Sequence, residues 1–163
     1  MQTNELNLMI DYNYWANQRV LAAAAAVTPE ELTAPAGLSH GSLLGALVHI
    51  YAAEYVWRKR CQEGVSPPAL PTEADFKTLN ELRQAWTQEE AAMRAFLAGL
   101  DDQQPDAAVQ YTTTSGKTFQ TILWQILLHV VNHGTQFRSE AAIRLTALGH
   151  SPGDLDLILY LRQ

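Results

Sequence analysis

A single cysteine, Cys61, in 163 residues excludes a framework of internal disulfides. Nothing around it marks a reactive thiol, and it reads as an ordinary residue near a helix end. Basic side chains are also scarce. Eleven Lys and Arg stand against seventeen Asp and Glu, giving a formal charge of −6, and they are scattered rather than clustered. That distribution lacks the positive patch which phosphate backbones require, so nucleic acid is not an expected partner. Long apolar runs are missing: no uninterrupted stretch approaches the ~20 residues that span a bilayer, so no membrane partner is expected. The N-terminal "MQTNELNLMI" has no basic start, apolar middle or small-residue cleavage site, and a cytoplasmic location is the expectation. Also absent are a Gly-x-Ser-x-Gly elbow, a phosphate loop and a paired-cysteine motif, which leaves serine hydrolase, nucleotide-binding and thioredoxin-like chemistry without support.

What is present is helical periodicity, and the length suits one domain over residues 1–163. The first pattern starts at Thr3 or Asn4 and runs to about Val27, where Thr28-Pro29 interrupts it. Its stripe of Leu6, Ile10, Asn13, Asn17, Val20 and Ala24 puts two asparagines on an apolar face, either hydrogen-bonded within the fold or bordering a polar cavity. A second helix begins around Ser39 to Ser42 and ends at Gly64. The proline-rich "GVSPPALPTEAD" then forms a long crossing connection. A third helix carries Leu79, Leu82, Trp86, Met93, Phe96 and Leu100 on one face. After a loop with a brief extended pair around Val109 to Thr113, a fourth helix is expected from about Thr118 to Leu148, with a short closing helix beyond Gly149. The expected class is all-α, a four-helix bundle with a long crossover connection.

Histidines carry the chemical signal. His129 and His133 are four residues apart on the last long helix, and the stripe Ile122, Ile126, His129, His133 turns both toward the interior. On the second helix His49 has Gly45, Ala46, Ala52, Ala53 and Val56 as neighbours, which leaves room around its ring for a metal, a water or a ligand. Three imidazoles with an open position describe a catalytic-type zinc or nickel site. The alternative is that the histidines are core residues satisfied by hydrogen bonds. His40, at the start of the second helix, and His150, in a turn, are assigned no role. Glu54 is expected to pair with Arg58 at i, i+4. Arg138 is expected to meet a carboxylate, hold a ligand's acidic group or lock helix ends. Asp154 and Asp156 are expected to cap the closing helix, and Gln136 and Glu140 are minor oxygen candidates.

Three stretches, "YNYWANQRVLAAAAAVTPEEL", "GSLLGALVHIYAAEYVWRKRCQEG" and "LLHVVNHGTQFRSEAAIRLTALGHSPGDLDLILYL", resemble the DinB/YfiT-like family of metalloenzymes. The resemblance covers nearly the whole chain. It implies a bundle with a long crossover, a divalent metal held by three histidines in many members, and frequent homodimers. It also implies a metal-dependent hydrolase or transferase that uses a low-molecular-weight thiol; other relatives are DNA-damage-inducible proteins without an assigned reaction. The family ligands map onto His49, His133 and position 137, but here position 137 is Phe137. Either His129 supplies the third ligand, or a carboxylate or water completes a two-histidine site, or no stable site remains. In the last case the chain is a metal-free, dimeric stress-related or small-ligand-binding protein.

Overall fold

The computed structural model describes residues 1–163. Helix α1 spans Thr3–Ala24, with the Glu5 carboxylate accepting from the Gln2 N–H at 2.8 Å. It stops three residues before Val27, and Thr28-Pro29 starts a further short helix, α2, Pro29–Thr33. Thr28 caps α2 and the proline occupies its first turn, where a missing N–H is no loss. Helix α3 runs Leu43–Glu63: the Ser42 Oγ accepts from the Gly45 N–H, and Gly64 closes the helix in the left-handed region at φ 66°. Helix α4, Leu79–Ala98, is capped by Thr78. A single 3-10 turn, Glu73–Asp75, interrupts the connection between α3 and α4.

The fourth long element departs from expectation. Residues 118–122 are not helical; they form strand β2, Thr118–Ile122, antiparallel to β1, Ala108–Thr112, with Tyr111 opposite Phe119. "TFQTI" is β-branched and aromatic, and the positive-φ Gly116 lets the chain turn back on "AVQYT". A partner strand within reach outweighs extension of the neighbouring helix. Helix α5 therefore starts at Leu123 and ends at Ala147, its first N–H bonded to the Ala107 carbonyl at 2.9 Å. The short α6, Leu157–Tyr160, follows Asp156, whose side chain makes no cap hydrogen bond. The chain is thus mostly helical with one small two-stranded sheet, rather than purely α.

Helix α5 packs against α3 and α1, and α4 packs against both α3 and α1, so the four long helices close a ring of contacts. Leu6, Ile10, Val20, Leu44, Leu47, Leu82, Met93, Leu127 and Leu145 fill its centre. Buried Ala16, Ala46, Ala52 and Ala141 allow the backbones to approach. The hairpin docks on α3, where the Tyr111 ring meets Trp57 edge-on at 4.8 Å and the Arg60 guanidinium donates to the Thr112 carbonyl. No helix is long and apolar enough to cross a membrane.

Candidate metal centre

His49 on α3 and His133 on α5 meet where the two helices pack. Their Nε2 atoms are 3.0 Å apart. Burial pushes the His49 imidazole down to about 4, and nearby His40 adds to the effect. His133 is pushed down to about 4 as well, by burial first and then by His49, His129, His40 and Arg138. Both rings are therefore neutral at pH 7, the state in which imidazole nitrogen binds a metal. The His133 Nδ1 is buried without a hydrogen-bond partner, so packing, not a carboxylate behind the ring, orients it.

The separation can be tested against a shared ion. Two nitrogens each ~2.1 Å from one ion stand ~3.0 Å apart at a right angle and ~3.4 Å apart at the tetrahedral angle. The observed 3.0 Å fits two adjacent ligands, and it also fits an N–H···N hydrogen bond between neutral rings of opposite tautomers. The donor chemistry is suitable, but no three His, Cys, Asp or Glu side chains converge as placed.

Phe137 packs against both rings. Its buried ring lies 4.4 Å from His49, 4.6 Å from His133 and 5.1 Å from His40, centroid to centroid. His129 does not reach the pair. It is solvent-facing rather than interior, with its ring 5.7 Å from His133 and edge-on to Trp57 at 5.5 Å. Four residues along a helix amount to a full turn plus ~40°, and ~6 Å of rise. That offset carries His129 to the level of Trp57. The histidine that does join the site is His40, stacked on His49 at 3.5 Å and 19°. Periodicity could not find it, because it sits in the loop before α3. Glu140 is held by that loop, accepting from the Ser39 N–H at 3.0 Å and its Oγ at 2.7 Å.

A second polar cluster ties all four long helices. Glu54 on α3, fully buried, does not pair with Arg58. Its Oε1 accepts from the Nδ2 groups of Asn13 at 2.7 Å and Asn17 at 2.8 Å, and its Oε2 from the Trp86 indole at 2.6 Å. Arg138 donates to the Oδ1 atoms of the same asparagines at 2.6 and 2.8 Å, and to Thr135. A carboxylate only accepts and a guanidinium only donates, so both amides have one permitted orientation. Burial drives the Glu54 carboxyl up to about 7, against the three donors that hold it down. Arg138, 2% exposed, locks helices and is not free to bind a substrate acid. Arg58 instead forks onto Glu89 at 2.6 and 2.9 Å and reaches Glu63. The asparagines on the apolar stripe of α1 are thus satisfied core residues.

Cys61 remains inert, with its thiol pushed up to about 12 by burial. An open cleft of about 390 Å³ adjoins the histidines, lined by His40, His49, Val48, Leu70, Pro71 and Glu73 among others.

Comparison with known proteins adds two findings. Residues 1–163 match the DinB family. The chain is also 24% identical over 157 residues to Protein DinB of Bacillus subtilis (strain 168), covering 94% of this chain and 91% of that protein.

Proposed function

This chain belongs to the DinB family, and from that premise we propose that it is a divalent-metal protein, zinc or nickel, whose ion is held by the Nε2 atoms of His49 and His133 between α3 and α5. The observation carrying this reading is the 3.0 Å approach of two neutral imidazole nitrogens from different helices. Held by His49 and His133, a divalent ion would supply Lewis-acid activation of a water or a thiol. The chain's own part is to keep both rings neutral, to wall one side of the site with Phe137, and to leave the other open to the cleft beside His49. Such an arrangement suits a hydrolase or transferase that takes a low-molecular-weight thiol, carried by a four-helix bundle with a long crossover and acting as a homodimer.

Metal analysis of untagged protein tests this directly. One equivalent of ion should be retained, and His49→Ala or His133→Ala should lose it. Protein that stays metal-free after incubation with zinc and with nickel overturns the reading. Phe137 favours the second one: a ring packed on all three histidines, with no third donor converging, describes a metal-free pocket for a small ligand. A sedimentation measurement showing monomer at all concentrations removes the homodimer.

A further inference from the structure

The loop before α3 is built to a fixed shape. The Ala36 N–H donates to the Gly41 carbonyl at 2.8 Å, the Gly41 N–H to Leu38 at 3.0 Å, and Gly41 turns the chain at φ 82°. Two bonds from Ser39 to Glu140 pin the loop to α5. Gly45 lets it lie close on α3, since a Cβ there would stand 2.2 Å from the His40 carbonyl oxygen. These contacts place one ring. His40 lies face to face with His49 at 3.5 Å and edge-on to Phe137 at 5.1 Å.

We propose that His40 supplies the third nitrogen of the divalent-metal site, taking the part that Phe137 cannot play. The inference rests on the reading that His49 and His133 hold an ion. Parallel rings cannot aim their in-plane lone pairs at a common point, so His40 turns out of the stack toward the His49 and His133 nitrogens to bind. The turn breaks no hydrogen bond, because the His40 imidazole makes none within the site, and its ring is exposed enough to move. His129 is the less suitable donor: its ring packs edge-on to Trp57, whereas His40 stacks on His49 and touches Phe137.

The test is a Co²⁺ titration of the untagged full-length protein, followed by visible ligand-field absorption, with Zn²⁺ calorimetry alongside. His40→Phe keeps an aromatic ring against His49 and removes both nitrogen donors. It should weaken binding by about tenfold or more and change the Co²⁺ spectrum. His129→Ala should stay within about twofold of the parent. In a Phe137→His background, His40→Phe should lose its effect, because position 137 then offers a donor of its own. If His40→Phe matches the parent in affinity and spectrum while His133→Ala abolishes binding, the role of His40 is refuted and the two-histidine reading stands. If the parent takes up no Co²⁺ or Zn²⁺, both fall.

Discussion

Replacing Glu54 with glutamine changes one heavy atom, an oxygen to a nitrogen, at the point where all four long helices meet. The carboxylate offers two acceptor oxygens to three donors, the amides of Asn13 and Asn17 on one side and the Trp86 indole on the other. A glutamine amide has one oxygen and one NH₂. Whichever way it turns, a donor faces a donor, and at least one buried N–H loses its acceptor, which costs ~1–3 kcal/mol. The change also removes the negative charge that balances Arg138 through the two asparagines. Stripping one partner from a buried pair costs ~3–5 kcal/mol. The two losses overlap, because the asparagines take part in both, and removing a buried charge whose carboxyl is pushed up to about 7 gives part of them back, so the net loss is about 1–3 kcal/mol. For a chain of this size that lowers the midpoint of thermal unfolding by roughly 2–12 °C. Urea unfolding at pH 8, where the wild-type carboxyl is ionised, measures it. A loss below about 1 kcal/mol would mean that the network is neither dry nor mutually dependent, and the account of Glu54 would be wrong.

Acid sensitivity gives a second prediction. His49 and His133, near 4 in the fold against 6.5 when unfolded, remove stability as pH falls through that interval, whereas Glu54, near 7 against 4.5, adds stability over an overlapping range. Glu54→Gln deletes the opposing contribution, so between pH 7 and pH 5 it should lose stability more steeply than wild type, by up to about 1.4 kcal/mol per pH unit; parallel slopes would sink the assignment. Arg58→Met leaves Glu89, 4% exposed, without its forked partner, and should cost ~3–5 kcal/mol by urea midpoint. Gly134→Ala ought to stabilise an ordinary helix by ~1 kcal/mol, yet its Cβ would stand 2.5 Å from an Arg138 nitrogen pinned between two asparagines. A lower melting point is expected, and a higher one refutes the rigidity claimed for Arg138. Asn17→Ala should reduce both stability and Zn²⁺ affinity although it touches no histidine. If affinity matches that of an equally destabilised variant altered far from the network, the positioning argument fails.

Signals confined to one helix were legible in the sequence. Ser42, Gly64 and Gly149 mark helix ends by local chemistry, and the structure places ends at or beside them. The boundary at Thr118 was not legible, because what decides between strand and helix over "TFQTI" is a partner ten residues upstream. Glu54 failed for the same reason in another form. Helical arithmetic offers Arg58 as a neighbour four residues on, but the donors that meet Glu54 come from positions 32 to 41 residues away. His129 lies exposed rather than interior: a 3.6-residue period cannot say which neighbour sits at the next turn, and there it is Trp57.

The histidine pair and the buried network are parts of one arrangement. Glu54 lies five residues beyond His49 on α3, and Arg138 five residues beyond His133 on α5. The asparagines of α1 bridge Glu54 to Arg138, so the rotation of α3 relative to α5 is set about one turn from the histidines. A helix end rotated by ~20° at a radius of ~6 Å to the ring nitrogens moves them by ~2 Å, enough to separate a pair now 3.0 Å apart. Without a fixed rotation the two imidazoles would not be held at ligand spacing, and the unpartnered Nδ1 of His133 provides no local restraint in its place. Asn13 and Asn17, which look like polar intrusions on an apolar stripe, are therefore the residues through which the first helix sets how far apart His49 and His133 stand.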